Sequence, residues 1–239
     1  MDDLKRYEEL VKTIEYHNDR YYNQDDPEIS DYDYDMMMKE LKKIEKDHPE
    51  FVTPNSPTQH VGGSAKREAG VLVRHRVPML SLQDVFSKEE VQDFVKSMQE
   101  TLVDPVFVVE YKIDGLSMAL RYENGDLTTA ITRGDGIIQG EDVTVNARVI
   151  KDVKNKLKEP IEYLEVRGEV YMTNEAFDKV NEIQELNNKK TFANPRNCAA
   201  GTLRQLDSRI TKQRNLSMFI FNIQDIRGKE ITTHSQGYE

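Results

Sequence analysis

Lys112 stands in the run Glu110-Tyr111-Lys112-Ile113-Asp114-Gly115, between two stretches whose composition predicts extended chain. A lysine amine is a poor nucleophile at its ordinary pKa of about 10.4, and attacks well only when desolvation or neighbouring cations keep it neutral near pH 7. Rigid backbone would present Lys112. Asp114, two residues on, falls on the same side of the pleat, and Gly115 allows a sharp turn. That arrangement suits covalent catalysis: attack on the α-phosphorus of a nucleotide would leave a phosphoramidate, a stored high-energy bond. The pattern K-x-D-G alone is weak, because ordinary composition yields it in roughly one chain of this length in twenty. Taken by itself it reads as a surface lysine ahead of a turn aspartate.

Other polar groups recur at spacings that could serve the same chemistry. Thr132-Arg133-Gly134-Asp135-Gly136, with Gly140-Glu141-Asp142-Val143-Thr144 after it, is a glycine-rich loop carrying one arginine. Leu164-Glu165-Val166-Arg167-Gly168-Glu169-Val170 alternates apolar and charged residues. Near the N-terminus, Tyr21-Tyr22 precede Asp31, Tyr34 and Asp35. The two aspartates are four apart, so a helix sets them on one face with Tyr34 beside them. Without further context, an acidic capping box and core tyrosines explain that cluster better than a ligand site does.

The elements that must hold these residues are legible in the apolar pattern. Leu4, Tyr7, Leu10, Val11 and Ile14 form one helical stripe, and Tyr34, Met37, Met38, Leu41 and Ile44 form a second, with Ser30 or Asp31 able to cap it. Prolines at 54 and 57 and Gly62-Gly63 end this helical module, which predicts a boundary near residue 65 and two units, 1–65 and 66–239. Beyond it, residues 106–113, 116–122, 127–132, 164–172 and 216–223 read as strands, and residues 88–102, 141–149 and 174–187 as helices. Asn124-Gly125 predicts a tight hairpin, because a type I′ turn needs positive φ at both central positions. The expectation is an α+β protein with a mainly antiparallel sheet in the larger unit.

Bulk properties narrow the field. The chain has 239 residues and a net charge of -10, which disfavours indiscriminate coating of nucleic acid. The charge is uneven. Residues 1–60 hold sixteen acidic against eight basic side chains, whereas residues 189–214 hold seven basic side chains and Asp207 alone. That segment is as readily a solvated basic face as a contact for a polyanion. A single cysteine, Cys198, leaves no disulfide framework and no thiolate cluster for zinc. With no window near the eighteen or so apolar residues of a membrane span, and no secretory core after Met1, we expect a cytosolic protein without membrane contact.

Taken in order, the motifs resemble those of one enzyme family. The run around Lys112 is similar to motif I of the covalent nucleotidyltransferases, which include DNA ligases, RNA ligases and messenger-RNA capping enzymes. The loop from Thr132 to Thr144 resembles the T-R-G-D-G-x-x-G-E-D block of the NAD-dependent DNA ligases, although Ile137-Ile138-Gln139 stand where two residues are usual. Residues 164–170 resemble motif III. Residues 192–207, Phe192-Ala193-Asn194-Pro195-Arg196-Asn197-Cys198-Ala199-Ala200-Gly201-Thr202-Leu203-Arg204-Gln205-Leu206-Asp207, resemble a long block of this ligase branch, with Cys198 as a small buried substitute for the usual alanine.

The resemblance implies a small N-terminal helical module that binds nicotinamide mononucleotide, followed by a nucleotidyltransferase domain of the ATP-grasp-like DNA ligase type. It implies that Lys112 attacks the AMP phosphate of NAD and expels nicotinamide mononucleotide, with Asp114 keeping lysine and ribose in register. Glu169 would bind ribose or Mg²⁺. Adenine would lie by Ser81, Leu82 and Phe221, with Glu110 accepting from its amino group; Tyr21, Tyr22, Asp31, Tyr34 and Asp35 would hold the nicotinamide half. Arg133, Arg196 and Arg204 would grip phosphates of NAD, of AMP or of nicked double-stranded DNA, the last two serving the strand. The implied partner is nicked DNA and the implied state a monomer. Later motifs of the same domain do not occur before Glu239, so a C-terminally truncated domain is expected, slow to adenylate itself and unable to seal nicks. An ATP- or GTP-using relative and a non-catalytic NAD-binding module are the alternatives; the N-terminal tyrosine and aspartate cluster argues against the first.

Overall fold

A computed structural model describes residues 3–20, 28–53, 56–59 and 70–238. The expected pair of N-terminal helices is present as α1 (Asp3–Asn18) and α2 (Asp31–Asp47). Ser30 caps α2: its hydroxyl oxygen accepts from the Asp33 N–H at 3.1 Å and its O–H donates to the Asp33 carboxylate at 2.6 Å. Both stripes meet in a small core of Tyr7, Leu10, Ile14 and Leu41, walled by Val11, Tyr34, Met37, Met38, Ile44 and Phe51. Full burial of each leucine or isoleucine there contributes about 1.5–3 kcal/mol, which is what makes two amphipathic helices persist as a pair.

The larger body is built on a four-stranded antiparallel sheet of β2 (Leu116–Glu123), β3 (Asp126–Thr132), β5 (Tyr163–Tyr171) and β6 (Ser217–Arg227) in the order β3-β2-β5-β6. A short ribbon pairs β1 (Leu72–Arg74) with β4 (Gln139–Glu141). Asn124 and Gly125 have φ of 51° and 85°, the backbone that the Asn-Gly pair predicts between β2 and β3. Helices α3 (Lys88–Thr101), α4 (Thr144–Ala147), α5 (Asn174–Leu186), α6 (Pro195–Leu203) and α7 (Ser208–Gln213) complete the described elements.

Alternation along the strands gives the sheet two unlike faces. Met118, Leu120, Leu164, Val166 and Val170 pack with Ala176 and Val180 of α5 and Cys198, Ala199 and Leu203 of α6 into the main core. Cys198 is fully buried there, and burial pushes its thiol up to about 11, so it packs as a small apolar group. The opposite face presents Ser117, Arg121, Glu165, Arg167 and Glu169 on the central pair. Register is fixed by Arg121↔Glu165 and Ser117↔Glu169. Arg121 Nε lies 2.8 Å from Glu165 Oε2, which also accepts from the Tyr163 hydroxyl at 2.6 Å.

Two expectations fail here. Residues 106–113 form no strand, and Val106, Val109 and Tyr111 are at least 90% exposed. Their β-branched composition favours a pleated, half-buried surface, but among the described residues no neighbouring strand completes a ladder for them. Lys112 therefore sits just before β2 rather than between two strands. The expected helix over 141–149 shrinks to the single turn of α4, because Glu141 belongs to β4 and Asp142 accepts from the N–H and hydroxyl of Thr144 at 2.9 and 2.6 Å, forming a turn. In the other direction, α6, α7 and β1 were not foreseen. No helix of the described residues is long and apolar enough to cross a membrane.

Candidate functional site

A cleft of about 560 Å³ opens between the helical pair and the polar face of the sheet. Most of the residues singled out by sequence meet there: Tyr34 and Asp35 from α2, Ser81 and Leu82 from the loop after β1, Glu110, Lys112 and Asp114 ahead of β2, Arg133 after β3, Glu169 of β5, Arg196 of α6 and Phe221 of β6. These residues span positions 34 to 221, so no local pattern could have joined them. The helical pair also touches the body through Lys39, whose ammonium lies 3.1 Å from Glu90 and 4.6 Å from the centre of the Phe86 ring.

Local structure explains why each side chain is held where it is. Gly115, just ahead of β2, runs so close to β5 that a Cβ would lie 2.2 Å from the Val170 carbonyl oxygen; the position needs glycine for close approach rather than for an unusual turn. This brings the segment carrying Lys112 and Asp114 over the sheet beside Glu169. Arg133 donates to the Met79 carbonyl at 3.1 Å and to the Ser81 hydroxyl at 2.7 Å, tying the Met79–Ser81 segment to the end of β3. The loop with the extra residue is closed by Asp135, whose Oδ1 accepts from the N–H groups of Ile137, Ile138 and Gln139 at 2.9, 2.7 and 3.1 Å. Burial raises the Asp135 carboxyl, but these backbone donors outweigh it and hold the group below its ordinary value.

Glu169 is the acid of the cleft whose carboxyl is raised by burial. Burial pushes it above the ordinary carboxylate range, against the Ser117 hydroxyl, which donates at 2.7 Å, and the positive charges of Arg196, Lys112 and Arg167. Lys112, Arg133, Arg167 and Arg196 gather positive charge at this end of the cleft, where a phosphate could be held, while Glu28, Asp35, Asp84 and Glu110 make the rest of its lining acidic. Arg196 lies 3.5 Å from Asp114 and so links α6 to the segment bearing the lysine. Among the described residues no group of three His, Cys, Asp or Glu side chains could hold a metal by protein ligands alone.

Sequence reasoning missed Ser117 and Arg167. Arg167 donates to the Leu80 carbonyl at 2.9 Å and stacks 5.5 Å from the centre of Phe221, and burial lowers its pKa. Its signal was available, since it lies two residues before Glu169 and therefore on the same face of β5. Ser117 carried no such signal, because only the β2/β5 register sets it opposite Glu169.

Some expectations do not converge on the cleft. Tyr21, Tyr22 and the side chain of Asp31 lie outside the described residues. Arg204 is engaged by Glu141 at 2.7 Å and does not line the cleft. Of the basic run 189–214, Arg209 pairs with Asp207 at 2.8 Å and Arg214 bonds Thr202 at 3.0 Å while stacking on Phe192, so part of that charge supports α6 and α7. Tyr34 is shared between roles: it packs on the helical core and donates to Asn18 at 2.7 Å. Lys112 is exposed on the cleft wall, so the protein alone does not provide the desolvation that sequence reasoning expected.

A mainly antiparallel sheet whose polar face carries Arg133, Arg167 and Arg196 beside a wall lysine, with a helical pair across from it, is the arrangement expected of the nucleotidyltransferase class. Family comparison is specific: residues 70–239 match the model of the NAD-dependent DNA ligase adenylation domain, and residues 1–62 match that of the DNA ligase-like N-terminal NAD⁺-binding domain. The chain belongs to the NAD-dependent DNA ligase family. It is 56% identical over 239 residues to a DNA ligase of Clostridium kluyveri, covering 100% of this chain and 36% of that protein. A DNA ligase of Caldicellulosiruptor saccharolyticus is 53% identical over 97% of this chain and 34% of its own length. One of Clostridioides difficile is 48% identical over 96% and 34%. The chain thus spans about a third of the curated relatives it matches.

Proposed function

We propose that this chain is the part of a NAD-dependent DNA ligase that takes AMP from NAD. The observation that carries the reading is the shared cleft, in which Lys112 and Glu169 face Tyr34 and Asp35 across a space walled by Phe221 and Glu110. Such a space suits a dinucleotide, with adenine against Phe221 and Leu82, its amino group toward Glu110, and the nicotinamide half toward α2. Tyr21, Tyr22 and Asp31 would complete the nicotinamide side. We infer two units, 1–65 and 66–239, that close on the ligand together.

In the first step the neutral Lys112 amine attacks the adenylyl phosphorus. A P–N bond forms, the P–O bond to nicotinamide mononucleotide breaks with the leaving phosphate keeping the electron pair, and the nitrogen sheds one proton to water to leave the phosphoramidate. Asp114, held by Arg196, orients the lysine; Arg196 and Arg133 offset phosphate charge. Because Lys112 is exposed, bound dinucleotide must itself exclude water from the amine. Glu169 would be the carboxylate to hold a Mg²⁺ ion, which would supply positive charge to the phosphoryl group. In the longer protein, AMP would pass to the 5′-phosphate of nicked duplex DNA. Arg196 is the better placed of the two proposed strand contacts, since Arg204 would have to leave Glu141.

Incubation with NAD labelled in the adenylyl phosphate should mark the wild-type chain and leave Lys112→Ala unmarked, while calorimetry shows NAD bound by both. Label retained by Lys112→Ala would refute the assignment. A second reading, NAD retention without turnover, is favoured by the exposure of Lys112; NAD binding without label in the wild type would select it.

A further inference from the structure

Glu110, which lines the cleft, is gripped by the turn Ser235–Tyr238 and the residue before it, none of which lines that space. The Tyr238 hydroxyl donates to Glu110 Oε1, and His234 Nε2 stands 3.1 Å from that same oxygen. The Tyr238 hydroxyl also lies 3.3 Å from the Phe221 carbonyl oxygen, which ties the turn to the strand that supplies the aromatic wall. The two rings meet edge-on, 5.1 Å between centroids, and the Gln236 side chain accepts from the Thr232 and Thr233 N–H groups at 2.9 and 3.3 Å. Both contacts of Glu110 among the described residues fall on one oxygen. Oε2 is left as an acceptor.

Two donors on one oxygen favour the charged form of a carboxylate, and a charged carboxylate can only accept hydrogen bonds. The 6-amino group of adenine offers donors at that edge, whereas a 6-oxo purine offers an acceptor that the carboxylate repels. A site built to pair with one of these leaves a polar group unmet with the other. We propose that His234 and Tyr238 are positioning residues that set purine selectivity, fixing Glu110 as an acceptor for the 6-amino group and against 6-oxo purines. This rests on the reading of Glu110 as the adenine contact.

The test is calorimetric titration of the 239-residue chain with NAD and with nicotinamide hypoxanthine dinucleotide. The quantity read is the ratio of the two affinities, which a purely structural loss would lower for both ligands alike. His234→Ala combined with Tyr238→Phe should reduce the preference for NAD on the order of tenfold, about the effect of one lost charge-assisted hydrogen bond. An unchanged or larger preference in the double variant overturns the inference. Glu110→Gln, run in parallel, separates the two levels. If it too keeps the wild-type preference, or if the wild-type chain binds neither ligand, the adenine contact itself is wrong; if it abolishes the preference while the double variant does not, only the role of His234 and Tyr238 falls.

Discussion

Truncation of Glu165 to alanine tests whether the register that builds the cleft floor is locked by a buried charge pair. The carboxylate is fully buried, its partner Arg121 is 6% exposed, and Oε2 receives both the Arg121 guanidinium and the Tyr163 hydroxyl. Glu165→Ala leaves Arg121 buried with the Arg74 carbonyl, 2.9 Å away, as its remaining side-chain hydrogen-bond partner among the described residues. Stranding one member of such a pair costs about 3–5 kcal/mol. In a chain of this size, each kcal/mol lowers the melting temperature by roughly 2–4 °C, so the expected fall is about 6–20 °C. The pair is not fully compensated even in the native protein, since Glu165 Oε1 has no hydrogen-bond partner among the described residues. Replacing both residues by apolar ones, Arg121→Met with Glu165→Leu, should therefore recover most of the lost stability. Urea denaturation of the wild type, single and double variants measures this. A single variant that loses less than about 1 kcal/mol, or a double variant no better than the single one, would refute the account.

Gly115→Ala should shift the segment carrying Lys112, because the added carbon meets the Val170 carbonyl oxygen at 2.2 Å; an overpacking cost of about 1–3 kcal/mol and weakened NAD binding are expected, readable by denaturation and calorimetry. Asp135 supplies a pH test. Its carboxyl is held below the ordinary 3.8, so on acidification the unfolded chain takes up that proton first. The stabilisation it gives is complete at neutral pH and fades as pH falls through about 4 and below the folded value. Asp135→Ala should thus destabilise the chain clearly at pH 7 and much less near pH 2, in parallel urea titrations. An equal loss at both would remove the carboxylate from the explanation.

The helices of the N-terminal pair, the β2/β3 hairpin and strands β5 and β6 were legible from sequence because their periodicity or turn chemistry is local. Ser30 as a cap and Asn124-Gly125 as a turn act through backbone geometry that a few adjacent residues decide. The motif residues were legible as a set only through resemblance, since K-x-D-G by itself specifies nothing. What failed was of the opposite kind. Residues 106–113 have strand composition, but a strand needs a neighbour, and pairing is a property of the whole chain. Helix α6 escaped notice because its buried residues are Asn197, Cys198, Ala199, Thr202 and Leu203, too small and polar to form an apolar stripe.

Sequence, through its resemblance to a family, singled out the candidates for the chemistry, an amine at 112 with carboxylates at 114 and 169, and by its local patterns most of the elements that bear them. Only the tertiary structure decided that Ser117 faces Glu169, that Arg167 stacks on Phe221, that Arg204 turns to Glu141, and that His234 and Tyr238 hold Glu110. Each of those contacts joins residues far apart in the chain, and their distances are set by strand register and packing, which depend on every element at once.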